Sequence, residues 1–222
     1  EREVWDCSLL VDGKRLRGFL SIFKPGSLDT VNASLPPAET ARKCALAMIE
    51  LPLSGIPAPR VLGYATAANQ AALLCERVKK TAWREDTRPE AARVLARIHN
   101  LRESDLSDEL RELVRVSDPR EYRTTAGKAP PCESKSLVHG DYFSVNILCA
   151  GSGLRIIDWE TFGWGDPMWD LGFLIGADRG LPQEVVEATV AVYEESAPVH
   201  RGRLAWHRHR WAEYWIERDK RA

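Results

Sequence analysis

The rhythm of apolar and polar positions changes along the chain, and each change predicts an element. Residues 4–11 and 15–23 are short mixed runs on either side of Asp12-Gly13, a dipeptide that suits a tight turn. They predict two paired strands, the second closed by Lys24. After the breaker-rich PGSLDTVNASLPP, residues 38–51 are rich in Ala, Glu, Lys, Met and Leu. They predict a helix that Pro37 can start, with Glu39 near its N-terminus. LSGIPAPRVLGY, punctuated by Pro and Gly, leads into a strand at 61–64, and 71–78 supplies another. Residues 1–78 are therefore expected to form a small sheet with one helix.

From Pro89 the period becomes helical. Ala91, Val94, Leu95, Ile98 and Leu101 fall on one face, and Leu106, Leu110, Leu113 and Val114 repeat the pattern. AGSG separates two short apolar runs, 146–149 and 154–157, which predicts a hairpin. Asp166-Pro167 signals a helix through Gly176, Pro182 starts another, and 204–220 makes the last. The expectation is an α+β chain of two lobes, 1–78 and a mainly helical 79–222, with no internal repeat and no low-complexity tract.

Composition narrows the class without naming it. A hydrophobic content of 44% with 28% charged residues is ordinary for a globular protein. No run approaches the roughly 18 uninterrupted apolar residues of a membrane helix. With 31 basic and 32 acidic residues the net charge is −1, which provides no global field toward nucleic acid or an anionic membrane. The basic cluster in RGRLAWHRHRW is expected to be a solvated helix face. Cys7, Cys44, Cys75, Cys132 and Cys149 are odd in number, scattered and never in a CxxC pair, so reduced thiols in a cytoplasmic protein are expected rather than a disulfide frame or a zinc site.

Two loops hold the candidate chemistry: SLVHGDYFSVNILC and LRIIDWETFGWGDPMWDLG, each acid-bearing, studded with glycine and adjoining an apolar run. The predicted hairpin brings Asp158 close to Asp141 and Asn146. Two carboxylates and an amide are hard oxygen donors of the kind Mg²⁺ takes, with its other positions left to phosphates and water. If Asn146 and Asp158 hold the metal, Asp141 can accept a proton from an attacking hydroxyl, and phosphoryl transfer asks for little beyond such positioning and charge neutralisation. Lys24, at a strand end, can meet the α- and β-phosphates if Glu39 holds its ammonium. His139 is expected to be a neutral residue that organises the loop. Glu160 has two open readings, an acid orienting metal-bound water and an exposed loop acid.

HGDYFSVN is similar to the HGDxxxxN loop, and IIDWETFGWGDPMWDLG to the IDWExxxxGDPxxDLA stretch, of the aminoglycoside phosphotransferase and choline kinase-like family of small-molecule kinases. FLSIFK, PPAETARKCALAMIEL, IPAPRVLGY and ARVLARIHNL extend the likeness along the chain. The resemblance implies a protein-kinase-like fold with ATP or GTP between the lobes. It also implies Asp141 as base, Asn146 and Asp158 as Mg²⁺ ligands, Lys24 as phosphate contact with Glu39 as its ion-pair partner, and Asp170 as an acceptor for backbone N–H groups of the catalytic loop. One departure stands out. No glycine precedes Gly13 and no GxxxxGK occurs, so either the first lobe is shortened at its N-terminus or the triphosphate is covered another way.

The implied activity is transfer of a terminal phosphoryl group to a hydroxyl of a small, cationic molecule, either an aminoglycoside or an amino alcohol. The first would call for an acidic pocket and the second for an aromatic cage. Asp178, Glu194, Glu195, Glu213 and Glu217 offer one material, and Trp211, Tyr214 and Trp215 the other. The absent phosphate-covering turn motivates the alternative of a catalytically silent nucleotide-binding or regulatory module. HGD and DWE in place of HRD and DFG, and the lack of an APE segment, count against a protein kinase. The acceptor, the choice of nucleotide and the oligomeric state are not legible in the residues.

Overall fold

In a computed structural model, residues 3–11, 13–24, 35–67, 69–83, 87–114, 128–151, 153–178 and 180–220 are described. Asp12, Ser152, the tract 25–34 and the side chain of Glu217 lie outside that description. β1 (Glu3–Val11) and β2 (Lys14–Phe23) pair antiparallel, as the period of the sequence predicts. β3 (Val61–Ala67) and β4 (Gln70–Glu76) complete a sheet of order β1-β2-β4-β3. β3 runs past the predicted end at Tyr64 because its backbone stays paired with β4 as far as Ala67 opposite Gln70, and an exposed edge strand needs no apolar side chains for that. Register puts Phe19 opposite Cys75, Ser21 opposite Leu73 and Phe23 opposite Ala71, so these residues share one face.

α1 (Pro37–Glu50) packs against β3 and β4. Pro37 lacks a backbone N–H that a first-turn residue could not use within the helix, and its φ is already helical. α1 runs on into a single 3₁₀ turn at Leu51–Ser54 that ends on Gly55.

The remaining elements are mainly helical: α2 (Thr87–His99), the short α3 (Asp108–Leu113), α4 (Pro167–Gly176), α5 (Gln183–Glu194) and α6 (Arg201–Asp219). α2 buries Ala91, Ala92, Val94, Leu95 and Ile98 completely, the stripe its sequence shows. α4 is buried from Met168 through Gly176, as expected of a helix apolar on all sides. α6 can lie close to it because a Cβ on Gly172 would sit 2.6 Å from the His207 Cβ. Between the helices run two small antiparallel pairs, β5 (Ser136–Val138) with β8 (Gly163–Gly165) and the hairpin of β6 (Ile147–Ala150) and β7 (Gly153–Ile156). One buried cluster runs from Phe23 and Leu73 in the sheet, through Ala41 and Cys44 in α1, to Ile147, Trp159 and Leu174. The architecture is α+β, and the two loops lie where its parts meet.

Candidate active site

The β6–β7 hairpin sets the site. Ile147 pairs with Ile156, and one step out the Ile157 amide donates to the Asn146 carbonyl at 3.0 Å, so Asp158 follows directly beside Asn146. The Asn146 side-chain amide donates to Asp141 twice, to its carbonyl at 2.9 Å and to its Oδ2 at 2.7 Å. Asn146 is 4% exposed. Because its N–H₂ group is committed to Asp141, its amide oxygen is the atom that can serve a cation. Asn146 is thus bonded to Asp141, and the hairpin places the Asp158 backbone next to Asn146. Among the described residues no three His, Cys, Asp or Glu side chains form a metal cage. A divalent ion here would take its protein oxygens from the Asp158 carboxylate and the Asn146 amide, a set that fits Mg²⁺ carrying phosphate oxygens and water.

The loop bearing Asp141 is clamped from below. Asp170, wholly buried on the first turn of α4, accepts the His139 backbone N–H at 2.7 Å with Oδ2 and the Gly140 N–H at 2.9 Å with Oδ1. Trp169 Nε1 donates to the Gly140 carbonyl at 2.7 Å, and Thr161 Oγ1 to the His139 carbonyl at 2.7 Å. Gly140 has φ +86°, and a Cβ there would lie 2.7 Å from the Thr161 side chain, so both conformation and space demand glycine. His139 is fully buried. Its Nε2 donates to the Ile157 carbonyl at 2.9 Å and its Nδ1 accepts the Asp141 N–H at 3.2 Å. Burial pushes its pKa down against the pull of Asp170, so the ring is neutral, an organiser that joins the two loops.

Asp158 has φ +68°, the one non-glycine at positive φ among the described residues. That conformation costs about 1 kcal/mol in an L-residue and persists because both neighbours are fixed. Ile157 is tied at N–H and carbonyl, and the indole of the buried Trp159 donates to the Ile156 carbonyl at 3.1 Å. Glu160 is 7% exposed, which removes the reading of it as an exposed loop acid. Lys43 of α1 is 1% exposed and donates to the Phe162 carbonyl at 3.2 Å. Sequence reasoning passed over it. It lies on one helical stripe with Thr40 and Ala47, and all three are buried.

A cavity of about 260 Å³ opens between the sheet and these loops, lined by Val4, Phe19, Phe23, Leu73 and Leu148, with Asp158 at its wall. Lys24 and Glu39 are not among its lining residues. Strand alternation directs Phe19, Ser21 and Phe23 into the cavity, and Val4 lies opposite Ser21 on the same face. Glu3 and Ile22 are opposite each other on the other face, and the Lys24 ammonium pairs with Glu3 there. Among the described residues no ion pair joins Lys24 to Glu39. The residue that points inward from the end of β2 is Phe23.

The basic cluster of α6 is not a uniformly solvated face. Arg203 (7% exposed) and His207 (2%) converge on Asp166, the N-cap of α4, and Arg210 (2%) lies 3.8 Å from the Trp169 ring and 4.2 Å from that of Trp211. Burial alone would raise the Asp166 pKa, but hydrogen bonds from His207 and Arg203 hold it well below the usual carboxylate range. Phe143, in the loop that carries Asp141, stacks on Phe173 at 4.4 Å and continues to Trp215 at 5.8 Å. Trp211 and Tyr214 extend this aromatic patch. Of the acids named as pocket material, Asp178 pairs with Arg88, Glu194 with Arg201 and Glu213 with His209. The five cysteines form no disulfide, and among the described residues no helix is long and apolar enough to cross a membrane.

Comparison with known proteins bears on the family and the fold. The family model described as APH, phosphotransferase enzyme family, matches residues 108–214. No curated protein matches the chain. Among solved structures, the chain is similar to the aminoglycoside phosphotransferase APH(3'')-Id from Streptomyces rimosus in complex with ADP and streptomycin, at 20% identity over 91% of this chain and 90% of that one, TM-score 0.55. It is also similar to the macrolide 2'-phosphotransferase MphH from Brachybacterium faecium, at 15% identity over 98% and 87%, TM-score 0.56. A third is the amicoumacin kinase hAmiN with AMP-PNP, Ca²⁺ and Ami, at 11% identity over 90% and 71%, TM-score 0.62. At these identities the structures speak for the fold, a kinase-like one. The resemblance read from the two loops is thus shown: over residues 108–214, which carry Asp141, Asn146 and Asp158, the chain is similar to the phosphotransferase enzyme family.

Proposed function

We propose that the chain is a small-molecule kinase that moves the terminal phosphoryl group of a nucleoside triphosphate to a hydroxyl. The observation that carries this reading is the contact of Asn146 with Asp141 at 2.7 Å, with Asp158 held at positive φ on the adjoining strand end. In the proposed step Asp141 accepts the acceptor's hydroxyl proton while that oxygen forms its bond to the γ-phosphorus. The bond from phosphorus to the bridging oxygen breaks, and the nucleoside diphosphate leaves with its electron pair. Asn146 and Asp158 would hold Mg²⁺, which when bound supplies neutralisation of the phosphate charge. The apolar slot lined by Val4, Phe19, Leu73 and Leu148 suits a flat base. The assignment of residues 1–78 to nucleotide binding and of 79–222 to catalysis and substrate binding belongs to this proposal.

The acceptor is proposed as a cationic molecule, an amino alcohol or aminoglycoside, in a cytoplasmic setting. ADP with streptomycin, and AMP-PNP with amicoumacin, occupy two of the similar structures and support a two-substrate site. Phe143, Tyr214 and Trp215 beside the catalytic loop are the material for holding a cation. A contact of Lys24 with phosphate, supported by Glu39, stands outside this core of the proposal, because Lys24 must first release Glu3.

That same placement is compatible with a second reading, the silent nucleotide-binding module, since the cleft-facing positions of β2 are Phe19, Ser21 and Phe23, which leaves Lys80 as the cation that lines the cavity among the described residues. Turnover separates the two. Purified protein is incubated with Mg²⁺ and ATP or GTP against a panel of aminoglycosides, amino alcohols and sugars. Acceptor-dependent release of nucleoside diphosphate, with a phosphorylated product, is the result expected of the kinase. Nucleotide binding with no turnover on any acceptor would establish the module instead.

A further inference from the structure

The mechanism above makes no use of Lys43, although its burial is among the most costly features of the fold. Taking an ammonium out of water costs several kcal/mol, and a methionine or leucine at the same place would avoid it. The apolar neighbours Ala41, Cys44, Ala45, Ala47 and Met48 already complete the packing face of α1. What the ammonium adds is a direction. It donates to the Phe162 carbonyl at 3.2 Å, 119 positions away in sequence, with the Glu160 carboxylate close enough to favour the charged form.

Phe162 ends the segment that begins at Asp158. Thr161 ties that segment to the catalytic loop and Trp159 ties it to β7, whereas Lys43 ties it to α1, which packs on the turn at Trp159–Thr161. On the same helix, Cys44 and Met48 line the cavity that Asp158 also lines. We propose that Lys43 is a positioning residue that couples the seat of α1 to the placement of Asp158, and thereby sets how well the cleft takes a nucleotide together with Mg²⁺. It touches neither nucleotide nor acceptor. The inference rests on the nucleotide-site reading given above.

The test compares ADP binding with and without Mg²⁺, by calorimetry, for the wild-type chain, Lys43→Met and Lys43→Gln. In the wild type Mg²⁺ strengthens binding. In folded Lys43→Met the metal-free affinity is retained while the Mg²⁺ enhancement falls by about tenfold or more, the loss that follows removal of a group supporting a metal ligand. Lys43→Gln, which can still donate to the Phe162 carbonyl, keeps part of it. An unchanged Mg²⁺ enhancement in Lys43→Met overturns the coupling and leaves the nucleotide site standing. A wild type that binds no nucleotide overturns both. Should Lys43→Met fail to fold, hydrogen exchange on the wild type decides. Mg²⁺ with ADP, but not ADP alone, is expected to protect residues 37–50 and 158–162 together, and protection confined to 158–162 contradicts the proposal.

Discussion

The loop that carries Asp141 and the end of β2 both carry a charged residue expected to act in phosphoryl transfer, and they differ in how those residues are held. Asp141 follows a loop whose flanking amides are taken by Asp170, whose carbonyls are taken by Trp169 and Thr161, and whose histidine bridges to the neighbouring loop. Lys24 stands at a strand end, about a third exposed, with one carboxylate against it. The first arrangement determines where a side chain must be. The second leaves one residue of strand register to decide which side of the sheet it serves.

That contrast can be broken or sharpened by substitution. Asp141→Asn keeps the shape and the loop's hydrogen bonds but removes the proton acceptor. Turnover should fall by about 10²–10⁴-fold with the melting temperature held, and unchanged kcat would remove Asp141 as the base. Asp166→Ala strips the partner from Arg203 and His207, which are almost wholly buried, and should cost ~3–5 kcal/mol in denaturant unfolding. A loss below 1 kcal/mol would show this end of α4 to be less committed than its contacts imply.

The buried lysine predicts a pH effect of known sign. Burial lowers the Lys43 pKa from 10.5 to about 8, so between those values the unfolded chain binds more protons and stability rises with pH. Relative to Lys43→Met, the wild type should gain on the order of 3 kcal/mol across that window, and a flat difference would mean that the ammonium keeps its water. The smallest effect is expected at the strand end. Lys24→Met should change stability by less than about 0.5 kcal/mol and Mg²⁺-dependent nucleotide affinity by less than about threefold. A tenfold loss of affinity would return Lys24 to the phosphate site.

Much of this was legible in the residues, for reasons that also explain what was not. The hairpin that joins Asn146 to Asp158 and the cap at Asp166-Pro167 are local, so spacing predicts them, whereas the support from Asp170, thirty-one positions from His139, was legible only through the family resemblance. The pairing of Lys24 depends on register against β1 and β4, where a shift of one residue exchanges the two faces, and nothing in FLSIFK says which alternate residue faces the cleft. Lys43 was missed because a lysine on a helix is ordinarily solvated, and only the contact of α1 with a segment over a hundred residues away buries it. Arg203 and Arg210 were misread for the same reason. Their burial follows from the close approach of α6 to α4 at Gly172, a tertiary event with no periodic mark on α6 itself.

The claim that Asn146 and Asp158 form a divalent-ion site beneath a terminal phosphate is tested most directly by titrating Mg²⁺ into mixtures of ATP with the wild type and with Asp158→Ala. The account predicts that Mg²⁺ strengthens ATP binding to the wild type and that this enhancement falls by at least about tenfold in the variant, while metal-free binding and the fold persist. Equal Mg²⁺ dependence in the two proteins would contradict it.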